Sequence, residues 1–492
     1  MTNNERNAIM QTTVKRKQKK DNAPSVNISV RVFITVMIVL IAVLAVSGAL
    51  SYFIPQGSFE RDASGAILTE TYREGEISGI ALWRVVTAPV RVFASEDALT
   101  ITMISIFLLI MSGVFNLLEK TGGTKIFISR LIGRLGDKKG KVICLTALIF
   151  MLFGSFFGMF EELVTLLPIV ILMMISMQMD TMMGLGACLL AACFGFSAAI
   201  TNPFSVGLAS EIAHHPMSCG MWLRLVFFVL TYLSVCGFLL LYLRKITRDP
   251  KVSLTYDIDC QKRMALDVME TGSDVDEDKL FHVYAIFFGA QAAVLLLIAS
   301  IRAISSYAIP ILAASFLLGG IAAGLVVCPK KRDVAGYMLR GAASMIPAVV
   351  IIAVASSVKL VMAESGVMDT IMHRVLLLLE GKNRFVAVLL IYVLILFLQI
   401  FIGSASAKLM LVMPIVLPVA TALGLSPSLV ILAYCMADGF TDVILPTNPV
   451  LLIGLSMANV SYGKWVKWTW KFQIFVFLMT IGVLFFGVVI GY

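Results

Sequence analysis

The tripeptide Thr-Asn-Pro occurs twice inside long apolar stretches of this chain. The first copy lies in "GFSAAITNPFSVGLAS" (195–210) and the second in "DVILPTNPVLLIGLS" (442–456). Proline lacks an amide hydrogen and its ring clashes with the preceding turn, so it breaks a helix. The freed backbone groups are tolerated at bilayer depth only next to protein or a water-filled cavity. The motif therefore predicts two opened helices, and its Thr and Asn side chains add a hydroxyl and an amide at each break.

The composition places these helices in a membrane protein. Hydrophobic residues make up 59% of the 492 residues and charged residues only 14%, which is more apolar than a soluble domain requires. The first apolar run, residues 32–54, is long enough to span a bilayer and too long for the core of a signal peptide. The sequence therefore predicts an all-α polytopic membrane protein.

Several classes of function are excluded by motifs that the sequence lacks. The eight cysteines show no CxxC spacing and no Cys/His cluster, so they predict neither a disulfide framework nor a zinc site. The absence of a Walker A motif, a nucleotide fold and a redox site argues against an enzyme, an ATP-driven pump or a bound cofactor. The net charge of +9 comes largely from short basic loops, which set topology and do not indicate nucleic-acid binding.

Lysine and arginine in the loops give the orientation, because cytoplasmic loops carry an excess of these residues. The basic tail 1–31, the polar linker 244–280 and the basic stretch 329–340, interpreted as a loop, are predicted to be cytoplasmic. The segments 55–97 and 364–384 are predicted to lie outside. The N-terminus is therefore expected in the cytoplasm and the C-terminus on the extracytoplasmic side.

The two halves of the chain resemble each other. The stretch "FGMFEELVTLLPIV" (157–170) aligns with "GSASAKLMLVMPIV" (403–416), and "TGGTKIFISRLIGRLGDKKG" (121–140) aligns with "SGVMDTIMHRVLLLLEGKNR" (365–384). The first copy begins on the cytoplasmic side and the second outside, which is typical of inverted-topology repeats. Each repeat also contains an apolar run that is too short for two crossings and is interrupted by small residues, which predicts a re-entrant hairpin.

The predicted organisation therefore has two transmembrane repeats on either side of the linker. The first repeat, 32–243, contains a hairpin at about 142–177 and a broken helix at about 181–213. The part after the linker, 281–492, contains a connecting helix and the second repeat, with a hairpin at about 385–420 and a broken helix at about 427–458.

Charged residues mark the expected hairpin tips. Glu161 and Glu162 lie in the first hairpin with apolar residues on both sides, and an ionisable group at that depth costs roughly 2.5–3.5 kcal/mol and usually has a function or a partner. We expect them to bind substrate, a proton or an ion, unless they reach the cytoplasmic surface. Lys408 occupies the equivalent place in the second hairpin. It is expected either to neutralise a glutamate or to contact a substrate carboxylate.

Two aspartates precede the second break. Asp438 and Asp442 are four residues apart and so share a helix face, whereas the aligned residues Phe194 and Ala198 are apolar. The alternative is that both aspartates lie on a solvated helix end that faces outward. The complete set of predicted substrate- or ion-binding residues combines these charges with the two breaks and the small residues of the second tip: Glu161, Glu162, Thr201, Asn202, Pro203, Gly403, Ser404, Ser406, Lys408, Asp438, Asp442, Thr447, Asn448 and Pro449.

Other polar and aromatic residues receive structural interpretations. Arg224 and Lys359 lie near helix ends, and we expect their charged groups to extend to the membrane surface. Trp465, Trp468 and Trp470 are interleaved with lysines, a pattern that predicts an interfacial aromatic belt.

Four stretches together resemble a known family. They are "YFIPQGSFERD" (52–62), "FGMFEE" (157–162), "GSASAKLMLVMP" (403–414) and "ADGFTDVILPTNP" (437–449). In this order they resemble the YfcC-type branch of the DcuC anaerobic C4-dicarboxylate carrier family, in the ion-transporter superfamily, from about residue 32 to the end. The resemblance implies a homodimeric carrier of the bacterial inner membrane, in which a mobile transport domain moves against a scaffold as an elevator-type secondary transporter.

The charges at the predicted site bear on the substrate. Four acids face one lysine, a balance that suits a cationic substrate, and members of the YfcC branch are named as basic amino-acid antiporters of the arginine/ornithine type. We therefore predict a basic amino-acid antiporter or uptake carrier. The alternative is a C4-dicarboxylate carrier coupled to H⁺ or Na⁺, whose acids bind the coupling ion. A channel or receptor is disfavoured by the paired hairpins.

Overall fold

The computed structural model is predominantly helical in the part of the chain that it describes. That part comprises residues 30–60, 71–95, 98–123, 126, 130, 138–160, 162–268, 277–300, 307–328 and 330–492. Residues 1–29 of the predicted tail and Glu161 of the predicted site lie outside the described residues, as do the remaining gaps between these ranges.

Nineteen helices carry labels below, in chain order. They are α1 (Val30–Leu50), α2 (Leu82–Arg91), α3 (Ala98–Lys120), α4 (Lys139–Phe157), α5 (Leu167–Ser176), α6 (Thr181–Ser197), α7 (Pro203–Gly207 with Leu208–Ile212), α8 (Met221–Arg248), α9 (Tyr256–Val268), α10 (Glu277–Ser300), α11 (Ala308–Val327), α12 (Lys331–Ser344), α13 (Ile346–Glu364), α14 (Val367–Leu379), α15 (Arg384–Gln399), α16 (Ala405–Ala422), α17 (Pro427–Asp442), α18 (Pro449–Ala458) and α19 (Tyr462–Val489).

Strand content is minimal in this described part. The strands β1 (Gly57–Ser58) and β2 (Arg73–Glu74) pair antiparallel. Seven helices there are long and apolar enough to cross a membrane by length and composition. The prediction of an all-helical, multi-span membrane protein is therefore confirmed.

Both stretches predicted as hairpins consist of two helical limbs separated by a break. The helix α4 ends at Phe157, and Gly158 follows with φ of +67°, a left-handed conformation that glycine adopts without the steric penalty of a side chain. The chain resumes with the short turn Glu162–Leu166 and then α5. In the second stretch the break lies between Gln399 and Ala405.

The outer ends of the first stretch lie beside one end of α8. A Cβ atom on Gly140, near the start of α4, would lie 3.2 Å from Cδ2 of Leu240. Asp180, which follows α5, accepts a hydrogen bond of 2.5 Å from the hydroxyl of Tyr242. The first limb therefore begins, and the second limb ends, near the C-terminal end of α8.

The second stretch meets the other end of α8. A Cβ atom on Gly424, after α16, would lie 2.7 Å from the guanidinium of Arg384 at the start of α15, so the outer ends of these limbs are adjacent. Just beyond them, Ser428 lies against Gly220, where an added Cβ atom would be 3.0 Å from the serine Cβ. From Gly220 to Leu240 an α-helix rises about 30 Å, the thickness of a bilayer's hydrocarbon core.

The two broken helices cross at close range. A Cβ atom on Gly439 of α17 would lie 2.3 Å from the amide nitrogen of Ser197 in α6, so only glycine permits this approach. The Ser197 hydroxyl donates to the Met436 carbonyl at 2.9 Å. This crossing places the chain segments that follow α6 and α17, and hence both Thr-Asn-Pro motifs, in the same region of the protein.

One predicted loop is a helix. Most of the basic stretch 329–340 belongs to α12, which packs antiparallel to α3: Ser112 donates to the Gly341 carbonyl and Asn116 to the Tyr337 carbonyl, both at 2.7 Å. The loop prediction was wrong because the lysines and arginines of α12 are exposed, while small and polar residues form the contact with α3. Charge content alone did not reveal that contact.

Candidate functional site

The first break lies between α6 and α7, and its backbone donors are bonded to the end of α4. The N–H groups of Ile200, Thr201 and Asn202 all donate to the Ser155 carbonyl, at 3.0, 3.3 and 3.1 Å. The Ser155 hydroxyl in turn donates to the Ala198 carbonyl at 2.6 Å. These three N–H groups are therefore occupied within the protein, and the break offers a solute its side chains rather than these backbone donors.

Asn202 is the buried side chain at this break. Its Oδ1 accepts from the Phe204 N–H at 2.9 Å and caps the next helical segment, the role for which Asn is favoured at helix starts. Its Nδ2 is buried and has no hydrogen-bond partner among the described atoms. The neighbouring Thr201 hydroxyl donates to the Phe156 carbonyl at 3.1 Å. Asn202 thus keeps one unpaired donor, which buried polar groups rarely do.

Asn448 has the equivalent position at the second break. Its Oδ1 accepts from the N–H groups of Val450 and Leu451 at 2.9 and 3.4 Å and caps α18. Its side chain also lies beside the Asp442 carboxylate. The Thr447 hydroxyl donates to a carbonyl of the second tip, that of Gln399, at 3.5 Å.

Two side chains of α19 bond the free carbonyls of this second break. The indole N–H of Trp465 donates to the Val443 carbonyl at 2.7 Å, and the Tyr462 hydroxyl donates to the Ile444 carbonyl at 2.5 Å. Trp465 is 0% exposed and Trp468 is 9% exposed. The interfacial-belt prediction was therefore wrong for these two tryptophans, because Trp465 packs against the break and Trp468 packs against Phe238 and Tyr242 of α8.

Lys408 and Asp438 form an ion pair in the interior. The Lys408 Nζ lies 2.5 Å from Asp438 Oδ1, and both side chains are 0% exposed. The ammonium lies 5.8 Å from the ring centre of Tyr434, a cation–π distance. The described partner of Lys408 is thus Asp438 and not a glutamate, and contact with a substrate carboxylate stays a prediction. The other carboxylate oxygen of Asp438, Oδ2, is buried without a partner in the described part.

Asp442 has a neutral partner instead. Its Oδ1 accepts from Nε2 of Gln399 at 2.7 Å, and within the described ranges no Lys, Arg or His nitrogen lies within 4.0 Å of its carboxylate. The Gln399 Oε1 is buried and unpaired among described atoms. Asp442 is 6% exposed, so the alternative of a solvated helix end is wrong for both aspartates.

Gln399 is a site residue that the sequence analysis missed. It is the last residue of α15, immediately before the second tip, and it is buried. The sequence did indicate this residue, because Gln399 is a lone amide near the end of the otherwise apolar run "VLILFLQIF" (393–401). A buried amide at that place needs partners, and Asp442 provides one.

The second tip is open on one side. Gly403 and Ser404 are exposed, and the Ser404 hydroxyl accepts from the Ala407 N–H at 3.4 Å at the start of α16. The Ser406 hydroxyl donates to the Phe204 carbonyl at 3.5 Å, which links this tip to the segment that follows the first break.

The structure thus brings most of the predicted site together. Ser406, Lys408, Asp438, Asp442, Thr447 and Asn448 lie around the second break, and Thr201, Asn202 and Pro203 adjoin it through Phe204. Glu162 starts the turn after the first tip. The position of its side chain and the whole of Glu161 are outside the described residues.

A second buried polar cluster, which the sequence analysis did not predict, joins the linker helix α9 to both broken helices. Lys262 of α9 donates to the Thr181 hydroxyl at 3.0 Å and to the Ala458 carbonyl at 3.2 Å. Asp259 accepts from the Thr181 N–H at 3.1 Å. Burial lowers the pKa of Lys262 to about 8, against the opposing effect of Asp259. The linker therefore caps the start of α6 and the end of α18 at one end of the molecule.

Arg224 is also buried, at 2% exposure. Its guanidinium donates to the carbonyls of Met217 and, at 3.0 Å, Cys219. The prediction that its charge extends to the membrane surface was wrong, because these loop carbonyls fold over the start of α8.

Two curated proteins are similar to the chain over about three quarters of its length. An "Uncharacterized protein" of Haemophilus influenzae is 25% identical over 380 residues, which cover 76% of this chain and 72% of that protein. The protein named "Putative basic amino acid antiporter YfcC" of Escherichia coli is 24% identical over 376 residues, with 74% and 73% covered.

Two solved transporter structures also align with this chain. The YdaH transporter of Alcanivorax borkumensis aligns with a TM-score of 0.40 and 19% identity, covering 94% of this chain and 98% of that one. MtrF of Neisseria gonorrhoeae aligns with a TM-score of 0.40 and 15% identity, covering 92% and 94%.

A family match extends over almost the whole chain. Residues 33–489 match the family DcuC, described as "C4-dicarboxylate anaerobic carrier". This protein therefore belongs to the DcuC family and is a secondary membrane transporter, not an enzyme.

Proposed function

We propose that this carrier transports a basic amino acid of the arginine/ornithine type across the bacterial inner membrane, as an antiporter or an uptake carrier. The observation that carries the proposal is the difference between the two buried aspartates. Asp438 is already neutralised by Lys408, whereas Asp442 has the neutral amides of Gln399 and Asn448 beside it and, in the described part of the chain, no Lys, Arg or His nitrogen within 4.0 Å. A guanidinium or ammonium group would supply the cation that Asp442 lacks and form a charge-assisted hydrogen bond.

Buried acceptor and donor atoms around the breaks that have no hydrogen-bond partner among the described residues support this assignment. Asp438 Oδ2 and Gln399 Oε1 are buried acceptors near Asp442, and Asn202 Nδ2 is a buried donor at the first break. An amino acid with a cationic side chain offers donors at one end and a carboxylate at the other. It would pair both kinds of group, which otherwise remain buried at a cost.

The second candidate is a C4-dicarboxylate carrier coupled to H⁺ or Na⁺. The description of the DcuC family favours it, whereas the name of the Escherichia coli relative favours the basic amino acid. In this alternative Asp442 would take the coupling cation, and the substrate carboxylates would meet donors such as Asn202.

Competition for uptake distinguishes the two candidates. Purified protein in proteoliposomes takes up labelled arginine, and unlabelled arginine, ornithine, lysine, succinate and fumarate are compared as competitors. The proposal expects the three basic amino acids to compete and the two dicarboxylates not to compete. Labelled succinate uptake that arginine does not inhibit would replace the proposal with the dicarboxylate alternative.

We further propose that the chain forms two inverted repeats with re-entrant hairpins, within the bounds predicted above, and works as an elevator-type homodimer. Support comes from the limbs of the two stretches, whose outer ends lie at opposite ends of α8, and from contacts between segments predicted to share a side. Thr370 accepts from the Gly57 N–H at 2.8 Å, which joins two segments predicted to be extracytoplasmic. The orientation follows from the loop charges, with the N-terminus inside.

Cysteine labelling tests the hairpins. Lys138 and Gln178 flank the first stretch, Lys382 and Ala422 flank the second, and all four are exposed. After the exposed Cys219 is replaced by serine, a membrane-impermeant maleimide should label cysteines at 138 and 178 from the cytoplasmic side only. Cysteines at 382 and 422 should react from the other side only. Opposite sidedness within either pair would exclude a hairpin there.

A further inference from the structure

We propose that Lys408 is an internal counter-ion, which holds Asp438 neutralised in the unloaded carrier and thereby allows the carrier to return without substrate. The ion pair would then decide between net transport and obligatory exchange. This inference rests on the proposed cationic substrate, and it adds a role for a residue that need not touch that substrate.

The ion pair between Lys408 and Asp438 is buried. Lys408 and Asp438 are both 0% exposed and lie 2.5 Å apart, and Tyr434 covers the ammonium. Asp438 therefore depends on one cation for its neutralisation, since the described part of the chain places no second Lys, Arg or His within ion-pair distance of it. A buried carboxylate that loses its only cation becomes an uncompensated charge.

The ion pair joins two helices, α16 and α17. Lys408 is on α16 of the second hairpin stretch and Asp438 is on α17 next to the break. The bond therefore joins the tip to the broken helix through side chains of the protein itself. In this proposal, the contact allows the site to close around Asp438 when no substrate cation is bound.

The carboxylates of Asp438 and Asp442 are neighbours on α17. With Lys408 in place, Asp442 is the one of these two aspartates without a Lys, Arg or His nitrogen within 4.0 Å in the described part of the chain, so a single proton or small cation would neutralise the pair of carboxylates. Without Lys408, Asp438 and Asp442 would both need one, on the same face of α17. Closing a site around two unpaired carboxylates is disfavoured by desolvation and by their mutual repulsion. A cationic substrate would relieve both effects, so only the loaded carrier would reorient.

The test compares net flux with exchange in the same vesicles. Proteoliposomes are loaded with labelled arginine, and efflux is followed into medium without arginine and into medium with unlabelled arginine. For Lys408→Met we expect the ratio of net efflux to exchange to fall by about tenfold or more, because the unloaded carrier retains an unpaired Asp438. The double variant Lys408→Met/Asp438→Asn removes both charges and should return the ratio to within about twofold of wild type.

The control is Lys467→Met, which removes an exposed lysine from the membrane helix α19 and should leave the ratio unchanged. A normal ratio in Lys408→Met would overturn the proposal, and so would a double variant that is as defective as the single one. If Lys408→Met does not insert into the membrane, the double variant decides: loss of net efflux with retained exchange contradicts the counter-ion role.

The outcome is separable from that of the proposed function. If wild type exchanges succinate and not arginine, the basic amino-acid assignment fails first, and the ratio is measured with labelled succinate. An anion cannot replace the missing ammonium, so Lys408→Met would then reduce net efflux and exchange together. Net efflux and exchange of succinate that both stay at the wild-type rate in Lys408→Met would reject the counter-ion role as well.

Discussion

Asn202→Ala and Asn448→Ala are each expected to lower transport by about tenfold to a hundredfold, because each removes hydrogen bonds worth roughly 1.5–3 kcal/mol when the partner is charged. Asn202 provides a buried amide group whose nitrogen has no acceptor among the described residues, and Asn448 adjoins the Asp442 carboxylate. The measurement is the initial rate of labelled substrate uptake into proteoliposomes, normalised to the amount of inserted protein.

Each asparagine also caps a helix, and the design must separate the two roles. Asn383 caps α15 in the same way, by accepting from the Val386 N–H at 2.9 Å, but it is exposed and outside the site. Asn383→Ala should therefore cost only the cap, about 0.5–2 kcal/mol of stability, and leave uptake near wild type.

Serine at the two site positions completes this comparison. Serine is as good a helix cap as asparagine but has no amide donor. We expect Asn202→Ser and Asn448→Ser to recover thermal stability in detergent while uptake stays low. Wild-type uptake in the serine variants would show that both motifs only kink the chain and that the asparagine amides have no role in transport.

The interruptions of the helices could be predicted because their causes are local. Proline and a capping asparagine act on the residues next to them, and α7 and α18 begin at Pro203 and Pro449 as expected. The break between the two limbs of each hairpin stretch could likewise be predicted, because glycine and serine interrupt the apolar run there. Periodicity and composition therefore sufficed for the helical class and for the location of the breaks.

The partners of the site residues could not be predicted, because they depend on how distant helices align. Nothing in the sequence links Ser155 to the N–H groups of 200–202, or Trp465 to the Val443 carbonyl. Lys408 was expected either to neutralise a glutamate or to contact a substrate carboxylate, but the close crossing at Gly439 sets the position of α17, and Lys408 pairs with Asp438. A single register difference between two packed helices would have given another pair.

The largest effect on affinity is expected for Asp442→Asn. The substitution keeps the shape of the side chain and an acceptor for Gln399, but it removes the charge. If Asp442 pairs with the cationic group of the substrate, that group would be left desolvated without a partner, a loss of roughly 3–5 kcal/mol. The half-saturating arginine concentration should therefore rise by about a hundredfold or more, as measured by concentration-dependent uptake into proteoliposomes.

Asp257→Asn provides the matched control, because Asp257 is an exposed carboxylate on α9 and its loss should leave the arginine dependence unchanged. The dicarboxylate alternative makes a different forecast for Asp442→Asn. Since Asp442 would then hold the coupling cation, the affinity for succinate should stay within about threefold of wild type, as it does when no contact to the substrate is lost. The Na⁺ or pH dependence of uptake would change instead. An unaltered arginine affinity together with a lost ion dependence would therefore assign Asp442 to the coupling ion and remove the main support for a cationic substrate.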